Sequence, residues 1–449
     1  MGRVTASIEG LPRLMSSASK ATYGVVTGLG MVSPIGIGKS AFIESLRTGR
    51  PGIRHVTLFP GIAVTGGVGG EVKDFTDESA KKVWLKEQRK WIKVMCREIA
   101  MGAASATLAL TDSGLDLENL EHHRLGVEFG ANLMLFMPDS LPDPCRACTN
   151  SEGEFHSTEW GTAGLAKMEP LWLLKYLPNM PACHIAIQAD ARGPSNSLTM
   201  DEASGNTAIS EALSVLRRGE ADAMIVGTTG TRLHPTRAIH ATLWDEMGYD
   251  ASNPGLSCKP FDAHRSGQVV GEGAASLILE TPEYAAARGA HVYGRILTGA
   301  SSCVTDRTGK PLKQKALVNA MRIALQQAGL RPDEIGHINA QGLGCRVDDQ
   351  AEADAIHEVF GDLSSRIPVT AYKGYYGNAG ASGGSLDLIA TFVSLADGVL
   401  YPALGCATPD PSCRLNVVCG EPLKIANKTF LKLSVTRLGQ ASVIVGAGA

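Results

Sequence analysis

The sequence predicts an α/β protein made of two similar halves, with mixed sheets covered by helices. Three observations lead there. A run of apolar residues at helical spacing, a small-Gly-Leu break, an acidic linker and a strand fills 97–131 and recurs over 316–342, ALVNAMRIALQQAGLRPDEIGHINAQG. A strand opening through a small-residue turn into an apolar helix also occurs twice, as SLTMDEASGNTAISEALSVLRRG from 197 and as IPVTAYKGYYGNAGASGGSLDLIATFVSLADG from 367. The strand-like runs AMIVGTT, ASLILE and FLKLSVT alternate with helical patterns. Recurrence in a fixed order is the mark of a duplicated unit.

Along the chain, MGRVTASIEGLPRLMSSASKA holds no apolar core and no cleavage-like site, so it reads as an extension and not as a signal peptide. VVTGLGMVSPIGIGKS follows as strand, turn and helix start. It is no phosphate loop, because Ser33 stands where a glycine is required and Pro34 interrupts the amide cradle. After the strand ending at 131, residues 132–180 lack periodicity and read as loops, except that MEPLWLLKYLPNM reads as a helix ending at its proline. Residues 1–22 are assigned to the extension, 23–265 to the first half and 266–449 to the second, with the halves meeting near 265–290.

Composition narrows the function classes. The 449 residues are enough for two to three domains or one large body of two halves. With 44% hydrophobic and 19% charged residues, the chain has an ordinary globular composition. Its 42 basic and 45 acidic residues give a net charge of -3 with no block of like charge, which speaks against nucleic acid. No apolar run reaches the roughly 18 residues of a membrane span, so a cytoplasmic protein is expected. Ten cysteines are expected as reduced, mostly buried thiols. Cys145 and Cys148 form a C-x-x-C pair with no second pair or nearby His, so neither metal nor cofactor is expected.

The string CKPFDAHRSGQVVGEGAASLILE at 258–280, with VVTGLGMVSPIG, RGPSNS and INAQGLGCRVDDQAEADAI, resembles the β-ketoacyl synthases of fatty-acid and polyketide synthesis from about residue 23 to the end. The resemblance implies the thiolase-like fold, five layers in αβαβα order, and a dimer with its interface near the active site. It also implies a cysteine and two histidines at the centre. This chain departs at all three: T-A-C-S-S-G is M-D-E-A-S-G, putting Glu202 at the cysteine; N-A-H-G-T is N-A-Q-G-L, putting Gln341 at the first histidine; K-S-x-x-G-H is K-G-Y-Y-G-N, putting Asn378 at the second. Lys373, Asp349 and Glu352 match supporting positions. Leu343 and Cys345 replace the threonines that hold the pantetheine arm, and Arg437 replaces the second phenylalanine of the C-terminal gate.

A glutamate attacking a thioester gives a mixed anhydride, higher in energy than the thioester, so acyl storage is lost. A negative Glu202 suits a helix N-terminus, whereas burial favours the neutral acid, and its charge state stays open. Arg437, Asn378 and Gln341 are its candidate partners. Three readings compete: a non-condensing partner resembling the chain-length factors of type II polyketide systems, paired with a cysteine-bearing ketosynthase; a divergent acyl-thioester enzyme using Glu202 as acid or base; and a homodimeric scaffold. An acyl carrier protein or acyl thioester is the partner the resemblance implies.

Overall fold

A computed structural model describes residues 22–58 and 65–449; apart from Thr22, the expected N-terminal extension lies outside the described residues. The two recurring patterns fold as two copies of one unit. In the first, β1 (Gly24–Ser33) precedes α1 (Arg97–Ser113), β2 (Leu125–Ala131), α2 (Met180–Ala189), β3 (Ser195–Leu198), α3 (Ser204–Arg218), β4 (Ala223–Thr231), α4 (Pro235–Trp244) and β5 (Glu272–Glu280). The second runs β6 (Gly294–Cys303), α5 (Lys313–Ala328), β7 (His337–Asn339), α6 (Arg346–Phe360), β8 (Pro368–Thr370), α7 (Ala381–Asp397), β9 (Thr429–Val435) and β10 (Gln440–Gly448). The small-Gly-Leu breaks are helix stops: Gly114 and Gly329 take left-handed φ of 61° and 66°, which lets the chain leave α1 and α5.

Apart from the two-residue strands Gly36–Ile37 beside β1 and Asn416–Val417 outside β8, the strands hydrogen-bond in the order β8-β7-β9-β10-β6-β1-β5-β4-β2-β3. In each copy the three strands farthest from the centre are parallel and the other two antiparallel. The copies join where β1 runs antiparallel to β6, with Gly24, Val25 and Val26 opposite Ile296, Arg295 and Gly294. Because β5 pairs with both β1 and β4, the changeover falls between Glu280 and Gly294, later than a division at 265/266.

α1 and α2 cover one outer face, α5 and α6 the other, and α3 and α7 lie between, touching strands of both copies. The result is the five-layered thiolase-like fold. With both faces covered, β4, β5 and β9 are buried almost throughout, which explains why they read as apolar runs and not as alternating strands. The central helices cross at Gly205, where an added Cβ would lie 2.7 Å from the Ser385 hydroxyl and 2.9 Å from its backbone nitrogen. Gly205→Val is therefore expected to destabilise the protein by about 1–3 kcal/mol through overpacking, read as an earlier urea midpoint; an unchanged midpoint would show that the helices can separate there.

Two local expectations are corrected. Residues 132–180 are a succession of short helical turns, including Pro142–Ala147 and Trp160–Gly164, and not plain loop. MEPLWLLKYLPNM forms only a tight turn over Trp172–Tyr176: Leu171 is left-handed at φ 64°, and Pro178 disfavours helical geometry in the residue before it. The strand–turn–helix reading near the start holds, with Gly36–Ile37 folding back on Val32 and Ser33 before a helix over Lys39–Arg47. All ten thiols are free and five are buried. Among the described residues no helix is long and apolar enough to cross a membrane, and no cluster of three or more metal-ligating side chains occurs.

Candidate active site

β7, β8 and β9 are parallel, so the loops after them emerge at one edge of the sheet, carrying 341–345, 373–378 and 436–439. The first turn of the central layer enters the same region. There Glu202 sits in a tight turn, Asp201–Ala203, that runs directly into α3, with Asp201 left-handed at φ 42°.

Glu202 is 5% exposed. Its Oε1 accepts from Arg232 Nη2 at 2.6 Å and from Asn378 Nδ2 at 3.0 Å, while Oε2 has no protein partner. Arg232 in turn reaches Asp245 Oδ2 through Nη1 at 3.0 Å. The Asn378 amide also donates to Gln268 Oε1 at 2.6 Å, and its oxygen accepts from the Gly380 N–H at 3.0 Å. Burial pushes the Glu202 carboxyl up, but Arg232 and then Asn378 outweigh it and hold the group below the ordinary glutamate value. The ion pair with Arg232 thus favours the carboxylate. Burial raises the neighbouring Asp201, and Glu202 raises it further.

Gln341 does not join this network. Its side-chain N–H donates to the Val435 carbonyl at 2.8 Å and its oxygen accepts the Val435 N–H, so the amide is clipped to the end of β9. Glu352 and Asp349 hold the loop that carries it. Glu352 accepts from the Gln341 and Gly342 backbone nitrogens at 2.7 and 3.0 Å, and Asp349 from Leu343, Gly344 and Phe261 at 3.0, 3.1 and 2.9 Å. Leu343 and Cys345 are buried on this loop, and the Cys345 sulfur lies 3.5 Å from the Glu246 carbonyl oxygen. Burial raises its thiol well above the usual range, which disfavours the thiolate.

Lys373 is buried and paired with Asp387 of α7, whose carboxylate also takes Lys432 Nζ at 2.9 Å and the Tyr376 hydroxyl at 2.5 Å. Arg437 is exposed and lies over the Trp244 ring, 5.3 Å from its centroid, so it does not reach Glu202. Of the three candidate partners of Glu202, the structure brings Asn378 to it and holds Gln341 and Arg437 elsewhere, while Arg232, Asp245, Gln268, Asp387 and Lys432 were not among the candidates. Arg232 gave no signal, since one arginine after a strand is ordinary. Lys432 did: it stands between leucines in a run with no solvent face.

Beside the network, after β4, lies a cavity of about 250 Å³ lined by Met95, Cys96, Glu98, Met137, Tyr176 and His234. The Glu98 carboxyl in its wall is pushed up to about 8, chiefly by burial, and one of its oxygens lacks a protein partner.

The β-ketoacyl synthase N-terminal domain model matches residues 25–285, and the C-terminal domain model residues 293–407. The 3-oxoacyl-[acyl-carrier-protein] synthase 2 of Synechocystis sp. (strain ATCC 27184 / PCC 6803 / Kazusa) is 29% identical over 400 residues, covering 88% of this chain and 91% of its own. Among solved structures, the ishigamide ketosynthase/chain length factor superposes with a TM-score of 0.81 at 24% identity, over 96% of this chain and 100% of that one. A type II PKS acyl-carrier protein in complex with its ketosynthase gives a TM-score of 0.77 at 23% identity, over 96% and 100%.

Proposed function

The chain belongs to the β-ketoacyl synthase family, and from that premise we propose that it is a non-condensing subunit, acting in the cytoplasm beside a cysteine-bearing ketosynthase and shaping that partner's acyl tunnel. The observation that carries this reading is the ion-paired Glu202. At the position where the family sets its cysteine, the carboxylate is neutralised by a buried guanidinium and bonded by the amide at the second histidine's position. A carboxylate held this way has no stable acyl form to offer. Gln341 is occupied by the β9 backbone and is not free to polarise a thioester carbonyl. The supporting frame of Asp349, Glu352 and Lys373 keeps its place, which suits a retained architecture with altered chemistry. The cavity near Glu98 is a candidate wall of the tunnel. A solved relative seen with its acyl-carrier protein supports a carrier protein as a further partner.

The test is mass-spectrometric. Malonyl- and acyl-carrier thioesters are incubated with the protein alone and then with a cysteine-bearing synthase from the same cell, following carbon dioxide release, product length and co-elution. No turnover alone, with a one-to-one complex that alters the partner's product length, is the expected result. Turnover by the isolated chain would move Glu202 into catalysis and end this reading.

A further inference from the structure

The C-x-x-C pair lies outside the network around Glu202, and the fold sets its two thiols on one turn. Cys145 belongs to the short helix Pro142–Ala147, and Cys148 is the residue that ends it. That end is closed between these same two residues: the Cys148 N–H donates to the Cys145 carbonyl at 3.1 Å, and the Thr149 hydroxyl donates to the same carbonyl at 2.8 Å. A turn closed from residue i to i+3 eclipses the side chains at its ends and keeps their Cα atoms within about 7 Å. A disulfide asks for Cα atoms about 4.4–6.8 Å apart. Both thiols are free.

The two cysteines differ in their surroundings. Cys145 is half-buried, whereas Cys148 is 2% exposed and its sulfur is a packing atom. A Cβ added at Gly164 would lie 2.9 Å from that sulfur and 2.9 Å from the Trp160 ring, so sulfur and ring together fill the room of the missing side chain. The Cys148 carbonyl accepts the His156 N–H at 2.8 Å, and Thr149 pairs with Phe155, so the chain from 149 to 156 loops out and returns at Cys148. The turn Trp160–Gly164 therefore packs against a thiol whose neighbour on the same helix end is a second thiol.

We propose that Cys145 and Cys148 are a reversible redox pair, closed by a small-molecule disulfide such as oxidised glutathione, and that closure draws the Cys148 sulfur off Gly164 and loosens the turn Trp160–Gly164. The Cys145 thiolate attacks one sulfur of the oxidant, which forms a mixed disulfide and releases one glutathione. The Cys148 sulfur then attacks the Cys145 sulfur and releases the second. The two protein thiols give up two electrons and two protons, and the oxidant takes them up as two thiols. The buried cysteine never has to meet the oxidant, only its neighbour on the turn. None of this depends on what happens at Glu202.

The test holds the full chain in excess oxidised glutathione, maps its cysteines by mass spectrometry after digestion under acid, and follows amide hydrogen exchange before and after oxidation. A Cys145–Cys148 link, seen as a peptide two hydrogens lighter than its reduced form, is expected together with faster exchange over Trp160–Gly164, and dithiothreitol reverses both. Cys145→Ser, treated alike, keeps the Cys148 packing and should exchange there as slowly as the untreated parent. Absence of the link, or a lasting glutathione adduct on Cys145 in its place, overturns the proposal. So does a link that leaves the exchange unchanged, and so does faster exchange in the treated Cys145→Ser variant, which would trace the loosening to other thiols.

Discussion

Arg232→Leu is expected to lower the folding stability by about 3–5 kcal/mol at neutral pH, because it leaves Glu202 and Asp245 as buried carboxylates without their cation. The pH dependence follows from the sign of the shift. In the parent protein the Glu202 pKa is held below its ordinary 4.5, so its contribution is fully present above that value and is lost as the pH falls through the lower folded value. Without Arg232, burial dominates and lifts the carboxyl, so the variant loses stability as the pH rises past 4.5. The gap between the two proteins should widen from pH 4 to 7, and adding Glu202→Gln to Arg232→Leu should narrow it. Urea denaturation across that range checks both. A cost under about 1 kcal/mol at pH 7 would show that Arg232 does not carry the charge of the site.

The second large effect is at Asp387, on which Lys373, Lys432 and the Tyr376 hydroxyl converge. Asp387→Asn keeps the volume but leaves two buried ammonium groups without a counter-ion. A loss beyond about 3–5 kcal/mol is expected, enough to prevent accumulation of folded protein. Burial already depresses Lys432, so its ammonium gives up its proton more readily once the carboxylate is gone. Lys432→Met combined with Asp387→Asn removes one stranded charge and should recover part of the yield and thermal stability. A single variant as stable as the parent would mean that water or rearrangement neutralises the pair.

How much of this was legible in the sequence depended on the range of the interaction. The duplicated fold was legible because helix stops, acidic linkers and strand runs are local signals, repeated in order. Glu202 and Asn378 were legible as neighbours because each lies inside a short motif whose place in the fold is fixed. Arg232 was not, since its value comes from meeting Glu202 and Asp245 around a strand end, and nothing in TGTRLHP announces that meeting. Gln341 was misjudged for a similar reason: an amide beside a strand end finds backbone partners nearer than a carboxylate across the site. The meeting of the halves was legible near 265–290 but its place within that stretch was not, because β5 closes the first unit by pairing, which no local pattern around 265 records. The helix expected over 168–180 failed because its prolines and left-handed Leu171 outweigh its apolar spacing.

The seam between the two copies is short, three residues of β1 against three of β6, and it runs antiparallel. Antiparallel pairing of a strand with its own counterpart is the arrangement a two-fold axis produces between identical chains. The join inside this protein therefore has the geometry of a subunit interface. Across that seam the two halves supply different side chains, the first Glu202 and Arg232, the second Gln341 and Asn378.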